Sequence, residues 1–458
     1  MSFVIYDIFF LVLFSLITFI FLYRRKSNLK REGLLYLYRT KVGLKIIESV
    51  SKKYSKLLNP LQYLVIFSGY VLMIFMVYGL VRFSYIYLSS PALVKALRVP
   101  VLTPLFPYVD RLFGSDVLPP FYFTYWILVI AIIAISHEFA HGIFARLNNI
   151  KVHSTGFGFL GPFLAAFVEP DEKQMQKSKI FPQLSILSAG TFANVVMMVL
   201  FGIIFWLFFA AAFTPAGVYF STYSTTPLNL SSISFENNLT LNGLNLTLIK
   251  SDNKTYYAIP EVLEFTKENN LSYTYVYENT PAINLGIVGA ITEVDGTKIT
   301  SYDELSSAIY SHYPGDKIII KTILENKTIN SYDLELADKN GKAYIGIGVS
   351  PIESRGMMSW FYDILSKIKS PQVYYLSSMG DFGIFIYNLL WWIVVINLGV
   401  ALTNMIPVGI FDGGRFFYLT ILGITRSDKV AKIAYKISTW FILILIFALM
   451  IQWFYAIF

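Results

Sequence analysis

The chain contains no cysteine. Disulfide and thiolate chemistry are therefore closed to it, and any metal must be held by histidine and carboxylate. Histidine is scarce as well, with four among 458 residues, and charged residues make up only 14% of the chain. Against these shortages stand 55% hydrophobic residues and a mean hydropathy of +0.56. That balance is too apolar for a soluble globular protein and points to several membrane spans.

Apolar runs of about 20 residues can cross a bilayer. Six are present, at roughly 4–23, 61–88, 121–145, 183–213, 381–407 and 433–458. The expected fold class is thus a multi-span α-helical membrane protein of about six transmembrane helices. The first run is long, lacks a small-residue cleavage site and is followed by Arg24, Arg25 and Lys26, so it reads as an uncleaved anchor. Asp7 inside that run and Arg82 near the end of the second lie close to predicted interfaces, and both are read as snorkelling there without a function.

The formal charge of +8 is not spread evenly. Residues 24–60 hold eleven Lys/Arg and two acids, net +9, which leaves the remainder at −1. This pattern points to a topology determinant and a lipid-facing surface, and away from nucleic acid. With the N-terminus outside, segments 24–60, 146–182 and 408–432 face the cytoplasm, and all three are net basic. The large loop 214–358 then faces outward, with ten basic and sixteen acidic residues. Every N-x-S/T sequon lies in that loop, at Asn229, Asn238, Asn245, Asn253, Asn270 and Asn326, as acceptors on an exported glycoprotein segment would. The expectation is a multi-pass cell-membrane protein with an extracytoplasmic domain over 214–356.

Within that domain, residues 214–275 carry short Thr/Tyr/Val-rich runs separated by Asn, Ser, Gly and Pro, a β-rich pattern. From 273 the order becomes a strand, a turn at Pro281, an apolar strand ending at Asp295-Gly296, a helix over 303–311, a Pro314-Gly315 turn and a β-branched strand. The stretches TPAINLGI, ITEVDGTKI and YPGDKI give the region from about 273 to 350 a resemblance to PDZ domains, modules that bind peptides by strand addition.

Two of the four histidines fall in ISHEFAHGIFA, residues 135–145, at the end of an apolar run. A charge at mid-bilayer costs on the order of 3 kcal/mol on insertion scales, so this cluster needs a reason. His137 and His141 are four apart and share one helix face, where both imidazoles can reach one zinc ion. Glu138 is then placed to take a proton from water. The competing reading is a polar contact between helices, which does not require both histidines and the acid at this spacing. A third ligand is offered by NMIPVGIFDGGRFF, residues 404–417, where Asn404, Pro407 and Gly409 interrupt an apolar span ahead of Asp412. Broken backbone at membrane depth is tolerated where it lines a wet cavity, yet Asp412 could equally cap a short helix. The predicted topology favours the ligand, since spans 121–145 and 381–407 run the same way and bring His137, His141 and Asp412 to one depth.

The combination of HEFAH with a later N-x-x-P-x-x-x-x-D-G-G resembles the site-2 protease family of intramembrane zinc metalloproteases. GFGFLGPFLAAFV (156–168) and SAGTFAN (188–194), with Gly190 and Asn194, are similar to that family too. The resemblance covers three core spans, about 121–213 and 381–420. It implies zinc held by His137, His141 and Asp412, Glu138 as general base, and Asn194 and Asn404 as contacts to the substrate backbone. The substrate implied is a transmembrane protein, with hydrolysis within or near its membrane helix. The domain plan is then a two-span extension (1–120), two core spans (121–213), the outer domain (214–356), the third core span (357–429) and a C-terminal span (430–458). GPFLAAFVEP, bracketed by Pro162 and Pro170, is too short to cross the membrane and reads as a re-entrant segment or an edge strand for unwound substrate. A zinc transporter, an inactive scaffold and a prenyl-protein protease are the alternatives. The D-G-G motif disfavours the last, and dependence of cleavage on Glu138 and Asp412 separates the others.

Overall fold

The computed structural model describes residues 3–33, 35–89, 105–108, 119–160, 163–241, 243–268, 270–324, 326–348 and 369–457. The chain divides into two compact units, one of Met1–Phe208 with Phe385–Phe458 and the other of Phe209–Ile384.

The first unit begins with helix α1 (Phe3–Arg24), the strand pair β1 (Leu29–Glu32) and β2 (Leu35–Thr40), and helices α2 (Leu44–Lys53) and α3 (Ser55–Ser89). Next come α4 (Phe123–Leu147), β3 (Val152–Leu160), β4 (Phe163–Pro170), α5 (Glu172–Lys177) and α6 (Ile180–Ala212). After the second unit, with its three short helices α7 (Pro260–Glu268), α8 (Pro281–Leu285) and α9 (Tyr302–Tyr310), the chain returns through α10 (Gly380–Asn404), α11 (Asp412–Thr425) and α12 (Asp428–Ile457). Six of these helices, α1, α3, α4, α6, α10 and α12, are long and apolar enough to span a membrane, and each coincides with one of the six expected runs. Helix α1 is inverted relative to a soluble helix. In α1 the buried residues are Asp7 and Thr18, while Ile5, Phe9, Ile17 and Phe19 point outward. Lipid is as apolar as those side chains, so polar groups have most to gain from the interior.

Asp7 therefore does not snorkel. It is 1% exposed, and its carboxylate accepts from the backbone N–H of Phe123 (2.7 Å) and Thr124 (2.9 Å) and from the hydroxyls of Thr124 and Tyr108 (2.5 Å each). Tyr122, the residue at the N-cap of α4, makes no side-chain cap bond. Asp7 supplies that cap from another helix, satisfying the orphan N–H groups and opposing the helix dipole with a negative charge. Helix α4 starts here because Pro119 and Pro120 precede it, and it stops at Asn148, followed by Asn149 in the left-handed region at φ +60°.

The basic segment between α1 and α3 is more than a topology signal. β1 and β2 extend a four-stranded antiparallel sheet of order β1-β2-β3-β4. Arg39 on β2 makes a bidentate pair with Glu169 on β4 (Nη2 to Oε1 2.6 Å, Nε to Oε2 3.0 Å), and Ser154 donates to the same carboxylate. The Arg39 guanidinium holds the Glu169 carboxyl below the usual carboxylate range, so the pair stays ionised into acid. Helix α2 places Ile47, 1% exposed, against Gly142 of α4, and its Glu48 pairs with Arg146 at 2.9 Å. β4 is an edge strand of this sheet, as one of the two readings of GPFLAAFVEP expected; Gly161 and Pro162 lie outside the described residues.

The second unit is β-rich. One five-stranded sheet has the order β7-β11-β10-β9-β8, built from Thr225–Asn229, Tyr273–Glu278, Lys254–Ala258, Leu244–Ser251 and Ser234–Leu241. The other main sheet joins β15 (Ile329–Glu335), β14 (Lys317–Ile323), β12 (Ala290–Val294), β5 (Phe213–Val218) and β19 (Val373–Ser377), and two short pairs, β6 (Thr222–Tyr223) with β18 (Ile347–Gly348) and β16 (Ala337–Lys339) with β17 (Lys342–Tyr344), accompany it. The elements expected from 281 onward occur in order, with helix α8 at Pro281, Asp295 and Gly296 at positive φ in the β12–β13 turn (β13, Thr297–Lys298), and α9 over Tyr302–Tyr310. The strand expected at 273 forms, and it pairs with β7 and β10. Its alternation explains this: Thr274 and Val276 point inward, and Val276 packs with Ile249, Ala258 and Leu263 in a separate small core.

Candidate metal centre

His137 and His141 occupy successive turns of α4, and Asp412 is the first residue of α11. The α10 helix ends at Asn404, three residues before Pro407, and the segment up to α11 closes its own backbone bonds in tight turns: Val408 N–H to Ile406 O (2.7 Å), Phe411 N–H to Val408 O and Gly414 N–H to Phe411 O. Ser438 of α12 also donates to Pro407 O at 3.1 Å. The glycines that follow Asp412 are required by close approach: a Cβ at Gly413 would lie 2.6 Å from Ile406 O, and one at Gly414 would strike Val408 O. This folded-back turn aims Asp412 at α4.

The three donors converge. His137 Nε2 and His141 Nε2 are 3.1 Å apart, and Asp412 Oδ2 lies 3.4 and 3.3 Å from them. Tetrahedral zinc with bonds of about 2.0–2.1 Å has donor edges of about 3.3 Å, so the spacing of the three donors fits that ion. Among the described residues it is the one group of three or more such side chains that could hold a metal. Room for it comes from Gly190 on α6, where an added Cβ would sit 2.5 Å from His141 Nε2 and 2.6 Å from His137 Nε2. The other two histidines lie against carboxylates elsewhere, His153 beside Asp171 and His312 beside Asp295, both at 3.2 Å.

Of the two readings left open for Asp412, capping is not what the side chain does. Phe411 holds the N-cap position of α11, and the Asp412 carboxylate turns to the imidazoles. The ring nitrogens facing away from the group are held too. His141 Nδ1 lies 2.7 Å from Ile186 O, and His137 Nδ1 lies 3.1 Å from Asn194 Nδ2.

A cleft of about 570 Å³ opens onto this group, lined among others by Glu138, Val168, Asn404 and Arg415. Glu138 accepts from the backbone N–H of Val168 at 3.0 Å, which ties the expected base to strand β4. Asn404 lines the cleft, while Asn194, with no exposed surface, sits behind His137 and away from it. The sequence offered no sign of the Val168 tie, because the donor is a main-chain group thirty residues away.

A membrane-embedded metallopeptidase is the class to which six apolar helices and a His-His-Asp group at a cleft with an adjacent glutamate correspond. The family model for Peptidase family M50 matches residues 125–445, and the chain belongs to that family, the site-2 proteases. It is also 27% identical over 411 residues, covering 88% of this chain and 83% of the relative, to the uncharacterized protein MJ0971 of Methanocaldococcus jannaschii.

Proposed function

We propose that this protein is a zinc metalloendopeptidase that cleaves a single-span membrane protein within or near its transmembrane helix, as a step of regulated intramembrane proteolysis. The observation that carries the reading is the triangle of His137, His141 and Asp412 donors, with edges of 3.1 to 3.4 Å, at a cleft that also holds Glu138. Zinc, when bound, supplies Lewis-acid polarisation of a carbonyl and makes water acidic near neutral pH. Glu138 takes the proton from the attacking water and delivers it to the leaving amine. Its hydrogen bond from Val168 N–H fixes one carboxylate oxygen and leaves the other free for that transfer. Asn404, which lines the cleft, donates to the substrate backbone in this reading.

A helical substrate hides its carbonyls in its own hydrogen bonds, so it must unwind locally before attack. Edge strand β4 is proposed to receive the unwound segment. In an antiparallel strand the residues whose N–H and C=O face outward alternate. The Val168 N–H points away from β3 to Glu138, so Ala166 and Leu164, two and four residues earlier, present their main-chain groups to the open edge. The proposed setting is a cell membrane with the N-terminus and residues 214–356 outside, the run from about 273 to 350 acting as a PDZ-like module, and the active site toward the cytoplasm. Substrates with helix-breaking residues near the scissile bond are cut faster on this account.

The test is Glu138→Gln in the full-length protein with a model single-span substrate. The variant is expected to keep its zinc and lose cleavage by about a thousandfold or more, a general base being worth 10² to 10⁴. Cleavage by the variant at the wild-type rate would exclude Glu138 as the general base, whereas a zinc-loaded wild type that cuts no such substrate would favour a transporter or scaffold.

A further inference from the structure

We infer that Asn194 is a positioning residue that sets the tautomer of His137 and thereby readies it as a metal ligand. The inference rests on the reading of His137, His141 and Asp412 as a metal site and assigns a part to a residue behind it.

The two histidines present the same nitrogen to the site, Nε2, at 3.1 Å from each other. A ligand nitrogen needs a lone pair, so the proton of each neutral ring must sit on Nδ1. For His141 the partner decides this: Ile186 O, at 2.7 Å, can only accept, so Nδ1 carries the hydrogen. For His137 the partner is the Asn194 amide, with Nδ2 at 3.1 Å from Nδ1 and Oδ1 buried without a hydrogen-bond partner among the described residues. In that orientation the amide donates to Nδ1, the ring proton is forced onto Nε2, and His137 is blocked as a ligand. The two ends of an amide are nearly isosteric, and the bonding network decides which one faces the ring. Turning the Asn194 amide brings the orphaned Oδ1 to Nδ1, where it accepts the ring proton and leaves the Nε2 lone pair toward His141 and Asp412.

Residue type and placement agree with this role. Asn194 has no exposed surface, so water cannot substitute for it. It follows Gly190 by one turn of α6, so a single helix face provides both the space for the donors and the acceptor behind one of them. A metal-ligating imidazole held by an acceptor at its second nitrogen is more basic and better oriented, and loss of such a partner weakens metal binding by about 10- to 100-fold.

The experiment measures zinc retention by the purified full-length protein in competition with a chelator, for wild type, Asn194→Leu and Asn194→Asp, with thermal unfolding as the control for folding. Leu fills the same space without an acceptor, and Asp restores one. The expected result is zinc held about 10- to 100-fold more weakly by the Leu variant and within about threefold of wild type by the Asp variant. Equal retention by wild type and Asn194→Leu would overturn this inference and leave the metal site standing. A folded Asn194→Asp weakened tenfold or more would overturn it as well, whether or not the Leu variant folds, since packing alone would then be at stake. Wild-type protein that binds no zinc at all would remove the metal-site reading itself.

Discussion

Gly190 is where the metal account is most exposed to a single atom. A methyl group there would press on both Nε2 atoms, at 2.5 and 2.6 Å, and neither ring can retreat without leaving the donor triangle. Gly190→Ala is expected to fold and to bind zinc more weakly by on the order of 100-fold, read as zinc per chain after dialysis against a weak chelator. Zinc at wild-type stoichiometry and affinity in that variant would mean that the triangle is not the site. The grouping of His137, His141 and Asp412 was legible in the chain because few histidines and few interior charges leave little else to explain their spacing. The contact between Asn194 and His137 was not legible, because the two residues are 57 apart in the chain.

At the scale of elements, long apolar runs made all six membrane helices legible, since length and hydropathy alone mark them. What escaped was how neighbouring elements hold them. Asp7 read as a snorkelling charge, although it caps α4 through the N–H groups of Phe123 and Thr124, which no local pattern reveals. Asp7→Ala leaves those donors unsatisfied in a dry interior, an expected loss on the order of 3 kcal/mol, visible as a lower thermal midpoint in detergent. A midpoint equal to that of wild type would show the cap to be dispensable. Strand β4 calls for a substitution that spares Glu138. Val168→Pro would strip the carboxylate of its donor along with the strand, whereas Ala166→Pro removes an outward N–H that edge strands can lose. Cleavage should fall about tenfold, near the worth of one main-chain hydrogen bond, with zinc unchanged. Undiminished cleavage by Ala166→Pro would defeat strand addition.

For the whole molecule, the basic segment 24–60 carries a lesson about charge. Its net +9 suggested only orientation and lipid contact, yet it also builds two strands of the sheet that holds β4 and a helix packed on α4. Charge composition reports on the surface that the segment presents, whereas the alternating apolar residues of LYLYRT pair with β3 only once the fold has brought the two together. The β-rich unit follows the same division. Turns at Pro281 and Asp295-Gly296 were legible from residue type, while the sheet that Tyr273–Glu278 joins was decided by which core Thr274 and Val276 could enter.

The central claim is that α4 and the turn before α11 together hold one catalytic zinc. Metal content of the purified full-length protein, measured for wild type and Asp412→Ala, tests it most directly. The account predicts about one zinc per chain in the wild type, lost or greatly weakened when the third donor is removed. Wild-type protein prepared without chelators that carries no zinc, or an Asp412→Ala variant that holds zinc as tightly as wild type, would contradict it.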